Sequence, residues 1–215
     1  MVTTIIVAGG SGQRMGGNVP KQFLEIDGEP ILMRVIRNFT YLAGEIIVVL
    51  PADAQQMWRE LCTKHNFDIE HKCVEGGAQR FDSVANGLRA VNSASEVILV
   101  QDGVRPFATR KLIDSIVCAA REAGAAIPVV GVTDTIRSID GSMIDRSRLM
   151  AVQTPQGFRS NILVESYRRA DRRIAFTDDA SVVEAAGHTV KLIDSQRENI
   201  KITTPLDLKI AEILW

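Results

Sequence analysis

The sequence predicts an α/β domain built on a mainly parallel sheet flanked by helices, and three observations carry that prediction. Short aliphatic runs without polar alternation recur along the chain, the pattern of strands buried on both faces. Segments with apolar residues at helical spacing separate several of these runs, as crossover connections between parallel strands require. Glycines or an aspartate follow three of the runs, where the carboxyl ends of parallel strands leave a crevice for ligands.

Residues 5–8 read as the first strand, and a loop with glycines at 9, 10, 12, 16 and 17 follows. It carries Arg14, with Lys21 just beyond, and no acidic residue from 9 to 21. Exposed N–H groups and cations without a carboxylate suit an anion, most naturally a polyphosphate. Familiar loops of this kind do not match. A dinucleotide fingerprint needs glycine where Met15 stands, a phosphate-binding P-loop needs Gly-Lys-Ser/Thr, and a nucleophile elbow around Ser11 needs glycine at Gln13.

Residues 30–39 are helical, with Ile31, Val35 and Phe39 at four-residue spacing, and 45–50 form the next strand. A helix over 53–65, a strand over 72–75 and a helix over 82–91 repeat the alternation, with Gly76-Gly77 after the strand. A strand over 97–101 leads into Asp102, and a helix over 110–123 has Thr109 as N-cap, followed by a strand over 126–130. The grammar then changes. Residues 135–139 and 143–145 flank Asp140-Gly141, a hairpin signal with too few apolar positions for a separate core, so a protruding arm is expected at about 132–152. Helices over 160–173 and 178–186, the latter ended by Gly187, and strands over 190–193 and 200–203 complete the sheet. Thr204-Pro205-Leu206-Asp207 starts a last helix through Leu214. The whole reads as Rossmann-like.

At 215 residues and 46% hydrophobic content, one domain spanning 1–215 is expected. The formal net charge of −1 offers no long-range pull on nucleic acid or an anionic membrane, so anion binding must be local. Cys62, Cys73 and Cys118 form no CxxC pair and are expected to be reduced, buried thiols. His65, His71 and His188 share no metal-ligand spacing. The start of the chain lacks signal-peptide features and no run is long enough for a membrane span, so a cytoplasmic location is expected.

Ala8-Gly9-Gly10-Ser-Gly-x-Arg14-Met15 followed by Pro20-Lys21-Gln22 resembles the signature of sugar-phosphate nucleotidyltransferases, and Pro-Lys-Gln points to the cytidylyltransferases among them. Gly76-Gly77…Arg80…Asp82-Ser83-Val84, Asp102-Gly103-Val104-Arg105-Pro106, Thr133-Asp134-Thr135-Ile136, Gln153-Thr154-Pro155-Gln156, Thr177-Asp178-Asp179-Ala180-Ser181 and Asn199-Ile200-Lys201 extend the likeness over nearly the whole chain. They resemble the 2-C-methyl-D-erythritol 4-phosphate cytidylyltransferase family of non-mevalonate isoprenoid biosynthesis. The resemblance implies a nucleotide-diphospho-sugar transferase fold, CTP and methylerythritol phosphate as substrates, Mg2+ or another divalent cation with CTP, and a homodimer joined through the arm.

Such a transfer sets an anionic phosphate against the α-phosphorus of a triphosphate, which calls for cations more than for a base, because the second pKa of a phosphate monoester is about 6. By resemblance, Arg14 and Lys21 stabilise charge in the transition state, while Lys201 and Arg146 position the acceptor phosphate, Arg146 in the partner's site. The nucleotide segments are Ala8, Gly9 and Gly10 together with Gly77, Arg80 and Ser83, the pair Gly77 and Ser83 lying near the base. Asp102 is read as a nucleotide or metal contact, with a cap on the following turn and an ion pair to Arg105 as the alternatives; Arg105 and Thr135 are substrate contacts by resemblance. Thr154 is either an acceptor contact or simply extended before Pro155. Asp178-Asp179 is read as structural, at a helix start.

Three competing functions can be stated. A ribitol-5-phosphate cytidylyltransferase shares the loop and the Gln-Thr-Pro-Gln segment. A serine hydrolase would use Ser11, Asp102 and His188, against which the failed elbow at Gln13 counts. A non-catalytic nucleotide-binding regulator would bind CTP without releasing pyrophosphate.

Overall fold

Neighbouring residues of the central strands face opposite sides of one sheet, and each side buries its own core. The computed structural model describes residues 1–9 and 19–215. It begins with β1 (Val2–Val7), a small hairpin of β2 (Glu25–Ile26) and β3 (Glu29–Pro30), and then α1 (Ile31–Arg37), β4 (Gly44–Leu50) and α2 (Ala54–Lys64). The next elements are β5 (Lys72–Glu75), α3 (Arg80–Arg89), β6 (Val97–Asp102), α4 (Arg110–Ala123) and β7 (Ala125–Gly131). The arm hairpin is β8 (Ile136–Arg137) with β9 (Met143–Ile144). Finally come β10 (Met150–Val152), β11 (Gln156–Arg159), α5 (Ser160–Arg169), α6 (Asp179–Ala185), β12 (Lys191–Asp194) and α7 (Pro205–Leu214).

β1 lies between β4 and β6, parallel to both, so Ile5 stands beside Ile47 and Val100. β5 continues the parallel sheet beyond β4, and β12 runs parallel to β7. Ile6, Val48 and Leu99 pack with α1, α2 and α4 on one face, including the fully buried Trp58, which stacks on Phe23 at 5.8 Å between ring centroids. Ile5, Ile47, Val49 and Val100 pack with α3, α5 and α6 on the other. Burial on both faces is why these strands carry no polar alternation.

The expected α4 forms with its cap: Thr109 Oγ1 accepts from the Leu112 N–H at 3.3 Å, and Gly124 takes φ 94° after the helix. α7 starts on a capping box in which Thr204 Oγ1 accepts from Asp207 N–H and Asp207 accepts from Thr204 N–H.

Three expectations are corrected, and one feature was not anticipated. Residues 200–203 are not a strand. Ile202 is buried and its N–H bonds to Val104 O, but the segment crosses the strand ends instead of laddering along one. The sheet also holds an antiparallel insertion, β11 between β6 and β7, with β10 antiparallel to β7. Gln-Gly-Phe-Arg contributes one large apolar residue and shows no periodicity. The helix expected to reach 173 stops at Arg169, because Asp171 takes the backbone N–H of Arg173 in a local turn. The thiols are free, but Cys73 and Cys118 are exposed and Cys62 is half-buried. Among the described residues no helix is long and apolar enough to cross a membrane.

The arm is as lean as its composition suggests. No residue from 132 to 152 is buried. β8 and β9 pair through only Ile136 with Ile144 and Arg137 with Met143. Ile139, Met143 and Met150 are exposed, Ile139 completely.

Candidate active site

Asp102 ends β6 at the rim where the parallel strands finish, and its backbone N–H donates to Thr154 Oγ1 at 3.0 Å. Its carboxylate gathers cations from its own turn and from two distant segments. Lys201 Nζ lies 2.9 Å and Arg105 Nε 3.2 Å from Oδ2, while Arg80 Nε stands 3.9 Å from Oδ1. Burial opposes the charged form, but Lys201, Arg80 and Arg105 outweigh it and hold the carboxyl below its ordinary range. The i,i+3 pair with Arg105, one of the readings left open by the sequence, is formed.

Asn199 explains how a segment outside the sheet brings Lys201 here. Buried beneath the rim, its Nδ2 donates to Gln153 Oε1 at 3.0 Å and Thr154 O at 2.9 Å, while its own carbonyl accepts from Arg105 Nη1 at 2.8 Å. Lys201 was expected on a strand; it sits instead on this bonded crossing.

Two cavities meet at this cluster. The first, about 240 Å³, is lined by Gly9, Lys21, Gly77 and Ser83. The second, about 260 Å³, is lined by Thr154, Gln156, Thr177 and Asp178. Arg80, Asp102 and Lys201 border both. Ser83 Oγ accepts from Gly77 N–H at 3.1 Å and donates to Gln79 O, which folds the turn before α3 tightly. A Cβ at Gly77 would lie 2.2 Å from that of Asp82, so only glycine fits there. Gln22 Nε2 donates to Ala8 O at 2.7 Å and ties the Lys21 turn to the end of β1.

Arg105 lies at the rim through its bonds to Asp102 and Asn199. The remaining site candidates fall elsewhere. Arg146 and Thr135 are exposed on the arm and line neither cavity of their own chain, Arg146 donating instead to Thr133 O. Arg14 and Gly10 lie outside the described residues.

Residues to which the sequence reading gave no part in the site brace it from below. Gln156 Oε1 accepts from the backbone N–H groups of Asp179 and Ala180, and its Nε2 donates to Asp178 Oδ2 at 2.8 Å. Asp178 caps α6, accepting from Ser181 N–H, as its structural reading anticipated. Asp179 does more: it accepts from Arg80 Nη2 at 2.7 Å and from the Tyr167 hydroxyl at 2.6 Å. Burial and the Asp179 charge push the Tyr167 hydroxyl above its usual range, so it remains a proton donor.

What this arrangement can do is bind and polarise anions, since three cations converge where two cavities join. It does not fit a metal held by the protein. Asp102 Oδ2 is already engaged by two cations, and among the described residues no three His, Cys, Asp or Glu side chains cluster to hold an ion. A hydrolase relay is equally disfavoured, because His188 is exposed and lines neither cavity while Asp102 serves cations.

A family model described as IspD: 2-C-methyl-D-erythritol 4-phosphate cytidylyltransferase matches residues 2–215. The 2-C-methyl-D-erythritol 4-phosphate cytidylyltransferase of Phocaeicola vulgatus is 47% identical over 215 residues, covering 98% of this chain and 97% of its own. Among solved structures, 4-diphosphocytidyl-2C-methyl-D-erythritol synthase from Anaerococcus prevotii superposes with a TM-score of 0.84 at 30% identity, covering 99% of this chain and 95% of its own. The 2-C-methyl-D-erythritol 4-phosphate cytidylyltransferase from Thermus thermophilus gives 0.81 at 33% identity, covering 100% and 98%.

Proposed function

Because the chain belongs to the 2-C-methyl-D-erythritol 4-phosphate cytidylyltransferase family, we propose that its two adjoining cavities divide the family's reaction between them. The chain is a nucleotidyltransferase that moves CMP from CTP to 2-C-methyl-D-erythritol 4-phosphate, giving 4-diphosphocytidyl-2-C-methyl-D-erythritol and pyrophosphate in non-mevalonate isoprenoid biosynthesis. In our reading CTP occupies the cavity of Gly9, Lys21, Gly77 and Ser83, its base against the tight Gly77 turn. The sugar phosphate occupies the cavity of Thr154 and Gln156.

One observation carries this division: Arg80, Asp102 and Lys201 border both cavities, where an acceptor phosphate and the α-phosphate of CTP would come together. Lys201, held by Asp102, draws the nucleophilic phosphate into line. Lys21, with Arg14, relieves the negative charge that accumulates as the phosphorus becomes five-coordinate. No general base is required of the protein. Magnesium would travel on the triphosphate, since the donor set here is a single carboxylate already paired with cations.

The arm completes the site in a homodimer, with Arg146 and Thr135 reaching the acceptor in the neighbouring subunit. Supporting this are the arm's lack of any buried residue and its exposed Ile139 and Met143. Both substrates are anionic and do not cross membranes unaided, so we place the enzyme in the cytoplasm.

Pyrophosphate release with CTP tests the division. Methylerythritol phosphate should support turnover and ribitol phosphate should not. Lys201→Ala should raise KM for the acceptor by tenfold or more, a typical loss for a charge-assisted contact of about 1.5–3 kcal/mol, while KM for CTP changes little. An unchanged acceptor KM would remove Lys201 from that cavity.

A further inference from the structure

Arg80 is held from beneath by groups that touch neither cavity of the reaction directly. It is the first residue of α3, and its guanidinium is about a quarter exposed, reaching from the cavity border down to a carboxylate in the interior. That carboxylate, Asp179 at the start of α6, is wholly inaccessible to solvent. Its two oxygens are divided: Oδ2 takes the Arg80 Nη2 at 2.7 Å, and Oδ1 takes the Tyr167 hydroxyl at 2.6 Å. Tyr167 belongs to α5, and its ring stacks on Phe81, the neighbour of Arg80, with centroids 4.6 Å apart. Three helices thus converge on one guanidinium.

The competition for Arg80 is what makes this consequential. Asp102 and Asp179 both attract it, yet Arg80 Nε stops 3.9 Å from Asp102 Oδ1, outside hydrogen-bond reach, while the Asp179 contact is short. Were Asp179 displaced, the guanidinium could close onto Asp102 and be consumed there. Held as it is, Nε makes no hydrogen bond among the described residues, and Arg80 borders both cavities, where a phosphate oxygen can take it.

We propose that Asp179 and Tyr167 are positioning residues for CMP transfer: Tyr167 fixes Asp179, and Asp179 keeps Arg80 at the junction instead of against Asp102. The proposal rests on the placement of both substrates in the adjoining cavities. It gives to the second aspartate of Asp178-Asp179, and to a tyrosine on the inner face of a helix, a part in turnover rather than in helix packing alone.

The test is a double-mutant cycle read in single turnovers with enzyme in excess, so that weak backgrounds remain measurable, together with circular dichroism and melting of every variant. Tyr167→Phe keeps the ring and its stacking on Phe81 and removes only the hydroxyl. It should lower the rate of CMP transfer about tenfold, as loss of one hydrogen bond to a charged group does, with little change in the Kd of CTP. In an Arg80→Ala background the same substitution should cost nothing further, because its target is gone. Asp179→Asn should behave likewise, more severely in the native background and mildly beside Arg80→Ala, where no buried cation is left unpaired. Equal losses from Tyr167→Phe in both backgrounds would show that Tyr167 acts only on the fold and would overturn this inference alone. Full transfer rate in Arg80→Ala itself would instead remove Arg80 from the junction, overturning the substrate placement and this inference together.

Discussion

At the strand-end cleft, bonds join residues far apart in the sequence; around the turns of the arm, they join near neighbours. The Asp102 to Thr154 bond spans 52 positions, Arg105 to Asn199 spans 94 and Arg80 to Asp179 spans 99. In the arm, Ser138 reaches Ser142, Arg137 reaches Gly141 and Asp145 reaches Ser147, none more than four positions away. The cleft can exist only when the whole domain has folded, and its geometry is then over-determined. The arm is a hairpin whose own bonds hold its turn, and nothing among the described residues buries its outer face. Chemistry that needs cations in register belongs in the first region, and the second awaits a surface to lie on.

Substitutions can break each half of that contrast separately. The largest effect is expected at Lys21. Lys21→Ala should lower kcat by about 10²–10³ with modest change in CTP affinity, because in the proposed arrangement its contact is strongest when charge builds in the transition state. Mixing this variant with equally inactive Arg146→Ala under conditions of subunit exchange should restore about a quarter of native activity, since half of randomly formed dimers are hybrids with one intact site of two. Verified exchange without recovery would confine Arg146 to its own subunit and remove the shared site.

Next in size is the cleft's own bracing. Asp102→Asn should cost about 2 kcal/mol of unfolding free energy at neutral pH, because Lys201, Arg105 and Arg80 lose their shared counter-charge. The carboxyl's folded pKa is depressed, so its stabilisation is present above the unfolded value of about 3.9 and disappears as pH falls through the lower folded value. Denaturant titrations should therefore show a constant gap between native and variant protein from about pH 5 to 8 that narrows below about pH 4. A gap that widened on acidification would contradict the assignment.

The smallest effect belongs to the arm. Met143→Asp alters a side chain that is 72% exposed, so the unfolding free energy of the subunit should stay within about 0.5 kcal/mol. Dimerisation should nevertheless weaken: sedimentation or light scattering should show the dimer Kd rising by about tenfold or more if Met143 lies in the interface. An unaltered dimer, or a native monomer, would show that this face of the arm lies elsewhere.

Much of the fold was legible because its cause is local. Residues 97–101 fall within β6 and 110–123 coincide with α4, since an aliphatic run needs two-sided burial and Thr109 and Gly124 punctuate a periodic helix. Residues 200–203 misled for the opposite reason. Ile200 and Ile202 alternate with polar residues as a strand would, yet what they satisfy is the rim of the domain. The site divides along the same line. Asp102 with Arg105 is visible at three-residue spacing, and Gly77 with Ser83 at a helix start. Arg80 with Asp179 has no spacing to read, and Tyr167 looks like any aromatic on the apolar face of α5. Lys201 was placed by likeness to relatives, and only Asn199 supplies its physical reason for being there.

The insertion of β11 between β6 and β7 has a consequence for the order in which the chain can assemble as it leaves the ribosome. Residues 2–102 contain β1, β4, β5 and β6, which pair with one another. The far edge of β6 has no partner among them, and β7, although made next, does not dock there. That edge stays open until residues 156–159 have been synthesised and slide in antiparallel. For that interval the nascent chain exposes an unpaired, wholly apolar stretch of β6, Val97 to Val100, the kind of border at which half-made sheets stick to one another.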